Sequence, residues 1–504
     1  MPSPFSLCPV TASPFRLRQR MLACCIWLAI AIPASAAPFA YFSDTGKNNF
    51  TVVDMANYST VITTPLGTDR SAPIDTVVNN ATGKIFIGTT SGVVIIDAAT
   101  NAITGEVLIS ESGSAPSVTT TGVIALAVSP DGKRVFALSK GGSITVLDPI
   151  KKTILGSIAV DPSSNKMAVS LNGENLYVSS TGFGADRSTV LGVAGVTVID
   201  TMENSTERVI NIGNYFPLQL AIHPTDGRII VTGDYLYPST EYGYLILDPD
   251  NFSVRKVALA PENVQRPNLL SVTFNENGSR VYMSGTGAFT RAPLLEIDTE
   301  TGQVLRVLTT GDLGSAVNTT QKLTSSFASG KFVLVAFLRG YFTKYPFWPA
   351  TRVAFIDVQN NLILKELVYS QSPGIIDYQI AGDIFEPTIH PNLTTTSTTL
   401  QGSANPPLRR SVPLRFYATV TGDMPTGKVV FKFVAYKQND KLIEKVRVPL
   451  KGSMATLFLP ACGGRWDNRA LRDIICTTSF SATAIYRGDT KNSSSRSAVL
   501  DETY

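Results

Sequence analysis

One short signature, two mostly hydrophobic residues followed by aspartate, recurs seven times along this 504-residue chain. The copies are Val52-Val53-Asp54, Ile95-Ile96-Asp97, Val146-Leu147-Asp148, Val198-Ile199-Asp200, Ile246-Leu247-Asp248, Glu296-Ile297-Asp298 and Phe355-Ile356-Asp357. Successive aspartates are 43, 51, 52, 48, 50 and 59 residues apart. A repeat of this period is typical of architectures in which each copy forms one supersecondary unit. The signature therefore predicts seven units, which suits a chain too long for one ordinary core.

A tight turn and a strand precede each copy of the signature. The turn Ser129-Pro130-Asp131-Gly132 leads into Val135-Phe136-Ala137-Leu138, and Leu171-Asn172-Gly173 is a related turn. Asn-Gly and Asp-Gly tolerate positive φ and are strong hairpin signals. A second turn, such as Thr299-Glu300-Thr301-Gly302, follows the signature and leads to another alternating strand. Four short antiparallel strands per unit are the content of a β-propeller blade.

The repeat resembles the YVTN family of propeller repeats. Tyr177-Val178-Ser179-Ser180 and Tyr41-Phe42-Ser43-Asp44 stand where that family has its name-giving strand, and Val198-Ile199-Asp200-Thr201 stands at its V-x-V-I-D-T strand. The resemblance covers about residues 38 to 386. It implies an all-β fold, with a seven-bladed β-propeller over residues 37–386. It says little about function, because one fold hosts many functions.

The propeller has to close its first blade from a distant part of the chain. Pro38 lies inside what the repeat predicts to be the second strand of a blade. The missing strand should come from beyond the seventh signature, and Ser372 to Ile380 has the expected position and character. We expect this segment to complete the first blade and to leave few exposed strand edges.

The repeated aspartate has two interpretations. Seven carboxylates in a ring would suit a cation site. Alternatively, each aspartate accepts backbone N–H bonds at the turn that ends its strand, which is the commoner use of such a residue. We favour the turn.

The N-terminus has the pattern of an export signal. Arg16, Arg18 and Arg20 precede the apolar stretch Met21 to Ile32, and Ala34-Ser35-Ala36 forms a small-residue cleavage site. The alternative is a membrane anchor, but the stretch is shorter than the ~20 apolar residues that a span needs. A lipoprotein box at Leu22-Ala23-Cys24 is misplaced, because it lies at the start of the apolar stretch. We therefore expect a signal peptide over residues 1–36.

Export would place the mature chain outside the cytoplasm. No later segment has the length and hydrophobicity of a membrane span. Bacterial-type repeats behind an export signal predict a secreted, periplasmic or cell-surface protein.

Cleavage would leave two cysteines in the mature chain, Cys462 and Cys476. In an oxidising compartment an isolated pair predicts a disulfide, worth about 3 kcal/mol for so short a loop. The alternative is a metal-binding pair, although no histidine lies near it.

The C-terminal part has a different pattern. A linker rich in Thr, Pro and Ser is predicted over residues 387–407, and a β-sandwich over 408–504. Val412 to Gly422, Pro425 to Lys432 and Ser481 to Asp489 read as strands. Their A-T-V-T-G, P-T-G-x-V-x-F and A-x-Y-x-G-D elements resemble bacterial Ig-like repeat domains, which usually act as spacers or adhesive modules. An insertion, Ala461 to Ile475, departs from that family.

Charge divides unequally between the two parts. Residues 37–392 carry 24 basic and 31 acidic residues, a net charge of −7, and residues 393–504 carry 16 and 8, a net charge of +8. A basic small domain is compatible with an anionic envelope surface. Ordinary solvated faces are the alternative, which we favour.

Residues for catalysis are few. The two histidines are His223, which replaces a turn residue of the repeat, and His390 in the linker. No pattern places either beside a nucleophile, as a Ser-His-Asp site needs, and no ligand cluster predicts zinc. We therefore predict no catalytic residues, no metal site and no cofactor. Propeller enzymes such as sugar lactonases use the channel mouth, so a lactonase-like hydrolase working through carboxylates stays the alternative.

Long connections in the later blades are the strongest sign of binding. The predicted links between second and third strands run from Thr181 to Gly195, Asp234 to Tyr242, Thr286 to Pro293 and Arg339 to Arg352. Long loops on a rigid scaffold often bind ligands, and aromatic residues with arginine are typical of interface hot spots. The alternative is that the aromatic residues form small local cores under each loop. The candidate binding residues are Phe183, Arg187, Tyr235, Tyr237, Tyr242, Phe289, Arg291, Tyr341, Phe342, Tyr345, Phe347 and Trp348.

These features favour a non-enzymatic binding or scaffold protein of the bacterial envelope or exterior. The expected partner is a protein or a glycan, and no nucleic-acid partner is expected. A third possibility is a purely structural surface-layer or adhesin component.

Overall fold

The computed structural model describes most of the chain from residue 39 onwards. The described residues are 39–44, 48–66, 73–109, 122–183, 192, 194–235, 243–259, 268–286, 294–308, 318–326, 333–341, 349–371, 380–385, 396–402, 410–411, 413–422, 424–425, 428–437, 440–465, 467–476, 479–486 and 495–503. The expected signal peptide lies outside them, as do Cys8, Cys24 and Cys25. Residues 38–504 form one compact unit.

The described strands before residue 386 form seven four-stranded antiparallel sheets, and the first-named strand of each is the inner one. Sheet 1 contains β28 (Ile380–Phe385), β1 (Phe39–Asp44), β2 (Asn49–Asp54) and β3 (Ser59–Pro65); sheet 2 contains β4 (Pro73–Asn79), β5 (Lys84–Thr89), β6 (Gly92–Asp97) and β7 (Ala102–Leu108); sheet 3 contains β8 (Val123–Val128), β9 (Val135–Ser139), β10 (Ser143–Asp148) and β11 (Thr153–Ala159).

The next four sheets repeat this order. Sheet 4 contains β12 (Ser164–Val169), β13 (Asn175–Ser180), β14 (Gly195–Asp200) and β15 (Ser205–Asn211); sheet 5 contains β16 (Tyr215–Ile222), β17 (Ile229–Tyr235), β18 (Gly243–Leu247) and β19 (Val254–Ala258); sheet 6 contains β20 (Asn268–Phe274), β21 (Arg280–Thr286), β22 (Leu294–Asp298) and β23 (Val304–Leu308); sheet 7 contains β24 (Asn318–Ser326), β25 (Val333–Tyr341), β26 (Pro349–Asp357) and β27 (Leu362–Gln371).

The sheets close into a ring. Each inner strand contacts the inner strands of the two neighbouring sheets, and β28 of sheet 1 contacts both β4 and β24. A separate apolar core fills the space between every consecutive pair of sheets, including Ala40 and Phe42 of sheet 1 against Val353 and Phe355 of sheet 7. Radially arranged four-stranded sheets around a common axis are a β-propeller.

The burial of each strand follows from its place in the ring. Middle strands such as β13 are buried on both faces because a sheet packs on either side of them, which explains their continuous hydrophobic character. Outer strands such as β3 lie at the rim and are mostly exposed. The repeat signature marks the third strand of each sheet. Its aspartate is the last residue of that strand in six sheets and directly follows the strand in sheet 5.

A strand from far along the chain completes sheet 1, as the sequence predicts. In that sheet β28 pairs with β1, with Ile380 opposite Asp44 and Phe385 opposite Phe39. The expected segment, Ser372 to Ile380, was misplaced, since only Ile380 belongs to the strand and 372–379 lie outside the described residues. The outer strand of sheet 7 runs on to Gln371, so the chain reaches sheet 1 later than the repeat length suggests.

The C-terminal two-sheet domain, residues 396–503, packs two sheets around one apolar core. One sheet has the order β29 (Ser397–Gly402), β30 (Leu414–Thr421) and β33 (Met454–Leu459); the other has the order β32 (Asp440–Pro449), β31 (Lys428–Lys437), β34 (Ser479–Tyr486) and β35 (Ser495–Arg496), with β36 (Leu500–Thr503) also on β34. Phe416 faces Phe433 and Phe480 across the core in edge-to-face contacts. The strand β29 lies within the stretch 387–407 that the composition assigns to a linker.

The insertion in this domain contains the helix α1 (Arg469–Ile475). Asn468 caps it, because its Oδ1 accepts the N–H of Leu471 at 2.9 Å. Leu471, Ile474 and Ile475 pack into the core of the domain. Cys476 ends the helix and forms a disulfide with Cys462, which confirms the predicted pairing. Within the described residues, no helix is long and apolar enough to cross a membrane.

Candidate functional site

The four long connections leave the ring on one face. They follow Ser180, Tyr235, Thr286 and Tyr341, the last residues of the second strands of sheets 4 to 7. Because neighbouring strands are antiparallel and all sheets repeat one order, these ends lie together on what we call the loop face. The turns from first to second strands and from third to fourth strands lie at the opposite strand ends, on the turn face.

Most of the predicted binding residues fall in those connections and outside the described residues. The backbones of Tyr235 and Tyr341 end their strands at the loop face, and Phe183 is described with its side chain. The others lie outside the described residues: Arg187, Tyr237, Tyr242, Phe289, Arg291, Phe342, Tyr345, Phe347 and Trp348. His390 likewise lies outside the described residues.

The base of the first connection is anchored to the chain segment beside it. The hydroxyl of Thr181 accepts the N–H of Phe183 at 3.2 Å and lies 2.8 Å from its carbonyl oxygen. The N–H of Gly182 donates to the Ser163 hydroxyl at 2.8 Å, and Gly182 has a φ of 74°. Phe183 is half-buried. The connection therefore starts from a fixed position at the loop face.

All seven repeated aspartates accept turn N–H groups, which confirms the structural interpretation. Each carboxylate binds the backbone N–H two or three residues further on, with distances from 2.7 to 3.3 Å. The residue four positions after each aspartate has positive φ; these residues are Tyr58, Asn101, Lys152, Asn204, Phe252, Gly302 and Asn361. The aspartate is therefore a turn element and lies at the turn face of every sheet.

At sheet 4 the same aspartate has a second role that the sequence did not reveal. Lys432, on β31 of the C-terminal two-sheet domain, is 1% exposed and places its Nζ 2.5 Å from Oδ2 of Asp200. The same Nζ lies 3.5 Å from carboxylate oxygens of Glu203 and of Glu207. One buried ammonium thus joins three carboxylates of the propeller to the C-terminal domain.

The carboxylates determine the protonation of this lysine. Burial by itself lowers the pKa of the Lys432 ammonium, because the charged form loses its hydration. The carboxylates of Asp200, Glu207 and Glu203 outweigh that effect and hold the pKa above its ordinary value. Lys432 therefore stays charged at neutral pH.

Two further ion pairs extend this contact along β32. Lys445 lies 2.9 Å from Glu207, and Arg447 lies 2.5 Å from Asp250 of sheet 5 and donates to its carbonyl oxygen at 3.0 Å. The contact therefore spans sheets 4 and 5 at the turn face. The opposite net charges of the two parts of the chain were the sequence feature that could have indicated this contact. Three of the basic residues of the C-terminal domain pair with acidic residues of the propeller.

His223 is a structural residue, as its place in a turn suggests. Its side chain is buried, its Nε2 donates to the carbonyl oxygen of Gly278 at 3.1 Å, and its Nδ1 lies 2.9 Å from Asp226. The ring packs edge-on against Phe274. His223 therefore links the turns of sheets 5 and 6. Among the described residues, no three His, Cys, Asp or Glu side chains group in a way that could hold a metal ion.

Comparison with known proteins gives a fold likeness alone. No protein-family model and no curated protein match the sequence. Solved structures similar to this chain include Kuenenia stuttgartiensis hydrazine synthase (TM-score 0.44, 20% identity, 59% of this chain and 79% of that one) and the dihydro-heme d1 dehydrogenase NirN in complex with DHE (0.44, 14%, 69% and 75%). A third is the β-propeller domain of Cps50 (Swd1) from Myceliophteria thermophila (0.44, 10%, 60% and 86%). Likenesses this distant identify no activity for this chain, which its own topology defines as a β-propeller protein.

Proposed function

We propose that this chain is an exported, non-enzymatic binding or scaffold protein of the bacterial envelope or exterior. Its scaffold would be a seven-bladed propeller of the YVTN kind, and its C-terminal domain an Ig-like sandwich. The ligand, a protein or a glycan, would bind the long aromatic connections of sheets 4 to 7. The disulfide Cys462–Cys476 supports an oxidising location such as the periplasm, the cell surface or the medium.

The observation that carries the proposal is the common position of the four connections. The strand ends that bear them belong to four consecutive sheets and lie on the loop face. Aromatic and basic residues concentrated between those ends would form one continuous surface on a rigid ring. The ion pairs of Lys432, Lys445 and Arg447 hold the C-terminal domain at the turn face. A partner on the loop face therefore does not compete with that domain.

The carboxylate of Asp75, on an inner strand of the ring, has a structural role. Asp75 on β4 accepts the N–H of Leu126 on β8 at 2.9 Å and the N–H of Thr76 at 2.9 Å. It thereby joins sheets 2 and 3. A hydrolase at the channel mouth, the alternative function, would need carboxylates other than this one.

A binding experiment with the mature chain, residues 37–504, tests the proposal. The double variant Phe347→Ala/Trp348→Ala should weaken binding to envelope proteins or to an array of envelope glycans by tenfold or more, because truncating hot-spot aromatic residues commonly costs about 2 kcal/mol or more. Its unfolding midpoint should not change. Phe458→Ala is the matched control, since Phe458 is an exposed aromatic residue of the C-terminal domain. Equal binding by the double variant and the wild type would overturn the proposal.

A further inference from the structure

One repeat departs from the other six at a core position. The first residue of the signature is Val52, Ile95, Val146, Val198, Ile246 or Phe355 in six sheets, but it is Glu296 in sheet 6. Glu296 is buried on the middle strand β22. A carboxylate at a position that elsewhere packs hydrophobic side chains destabilises the fold unless it is paired, so its presence calls for a specific explanation.

Glu296 is the centre of a polar row across sheet 6. Tyr282 and Arg306 lie directly opposite it on the two neighbouring strands. Its Oε2 accepts the Nε–H of Arg306 at 2.6 Å, and its Oε1 lies 3.4 Å from the Tyr282 hydroxyl. Phenol, carboxylate and guanidinium therefore stand side by side on one face of the sheet, where they point toward sheet 7.

The row opens onto a cavity of about 340 Å³ between sheets 6 and 7. Asn275 and Asn277, from the turn between β20 and β21, and Gln359, from the turn after β26, complete its polar lining. The cavity is therefore at the turn face, at the opposite strand ends from the aromatic connections. Its volume is that of a small-molecule site.

Sheet 4 shows that the corresponding three strands of another sheet form with valine at the position of the glutamate. There the row is Tyr177, Val198 and Arg208, with the same phenol and guanidinium on either side of a valine. Arg208 lies over the ring of Phe252 at 4.6 Å from its centroid. Neither the tyrosine nor the arginine thus requires a carboxylate between them, and Glu296 is specific to sheet 6.

The chemistry of the lining favours a neutral ligand rich in hydroxyl groups. Glu276 and Glu296 balance Arg280 and Arg306, so the lining charges sum to zero. Arg280 is in turn paired with Asp298 at 2.8 Å. A charged ligand gains little net attraction in such a site, whereas sugar hydroxyls both donate to carboxylates and accept from guanidinium and amide groups.

We propose that the cavity between sheets 6 and 7 is a binding site for a mono- or disaccharide, with Glu296 and Arg306 as its main hydrogen-bonding groups. This site is separate from the aromatic connections of the loop face and does not depend on them.

Calorimetric titration of the mature chain with glucose, galactose, N-acetylglucosamine and cellobiose tests this site. We expect at least one of these sugars to bind. Glu296→Val, which restores the residue type of the other sheets, should weaken that binding about 10- to 100-fold, the effect of losing charge-assisted hydrogen bonds. Glu296→Gln keeps the side-chain shape and should weaken binding in the same direction.

Two controls separate the site from other effects. Arg208→Ala removes the corresponding arginine of sheet 4 and should leave sugar binding unchanged, and so should Phe347→Ala/Trp348→Ala on the loop face. If none of the four sugars binds, or if Glu296→Val and Glu296→Gln both bind as the wild type does, the proposal is wrong.

Discussion

The ammonium of Lys432 lies 2.5 Å from the carboxylate of Asp200, although 232 residues separate the two along the chain. Asp200 also accepts the N–H groups of Met202 and Glu203 at 2.8 and 3.0 Å. One carboxylate thus closes a turn of sheet 4 and holds the C-terminal domain. The aspartate that the repeat already places in this turn is therefore also the acceptor for the Lys432 ammonium.

Removing this lysine should destabilise the protein strongly. Lys432→Ala leaves Asp200, Glu203 and Glu207 close together without their common cation, and losing one partner of a buried ion pair costs about 3–5 kcal/mol. Urea denaturation followed by tryptophan fluorescence measures the free energy of unfolding. Lys451→Ala, at an exposed lysine of the same domain, should change it by less than about 0.5 kcal/mol. If both variants unfold like the wild type, the lysine is not held between these carboxylates in solution.

Each turn aspartate should stabilise its own turn, and the seven contributions to the free energy of unfolding should be of similar size. Asp148 accepts the N–H groups of Ile150 and Lys151 at 3.0 and 2.9 Å. Asp148→Ala leaves both donors without this acceptor and should cost about 1–2 kcal/mol, measured as a shift in the denaturation midpoint. Lys152 has a φ of 57°, which asparagine tolerates better, but its Nζ also donates to the carbonyl oxygen of Thr104 at 2.5 Å. Because these two effects oppose each other, Lys152→Asn should shift the denaturation midpoint less than Asp148→Ala does. A stabilised Asp148→Ala variant would contradict this account of the turn.

Acid should reveal the charge on a turn aspartate. Hydrogen bonds from Thr301, together with the N–H of Glu300 and the nearby Arg280, hold the pKa of Asp298 below its ordinary value. A carboxyl with a lowered folded-state pKa contributes stability above its unfolded pKa of about 4, and that stability disappears as the pH falls through the folded-state pKa. Asp298→Asn does not titrate.

The test compares the stability of the wild type with that of Asp298→Asn as the pH is lowered. The wild type should be the more stable one at pH 6, and the difference should shrink as the pH is lowered below about 4. Denaturation midpoints between pH 6 and pH 2.5 test this, and a difference that is constant over the whole range would exclude a role for the charge.

The disulfide should stabilise the C-terminal domain. Cys462 and Cys476 are 14 positions apart, and opening a loop of this length costs about 3 kcal/mol in the chain-entropy model. Cys462→Ser/Cys476→Ser should lower the unfolding midpoint of that domain, as seen by calorimetry. A reductant should lower the wild-type midpoint and leave the midpoint of the double variant unchanged.

The parts of the fold that could be predicted from the sequence are those that depend on local residue patterns. Turn chemistry and the hydrophobic-hydrophobic-Asp signature act between residues that are close in the chain, so the third strands, the turn aspartates and the turn position of His223 could be derived from them. The sequence correctly predicted that a later strand completes sheet 1, but it placed that strand too early in the chain. The length of the preceding strand β27 depends on its pairing with β26, which the repeat does not specify.

The repeat, the turns that join its strands and the pair of cysteines follow from residue patterns that are visible along the chain. The three-dimensional fold was needed to see that Lys432 contacts Asp200 and that Arg447 contacts Asp250. It was also needed to see that Glu296, Tyr282 and Arg306 form one row beside a cavity. These relationships join residues on different strands or domains. They depend on strand register and on how two surfaces fit, and neither leaves a pattern between neighbouring residues of the chain.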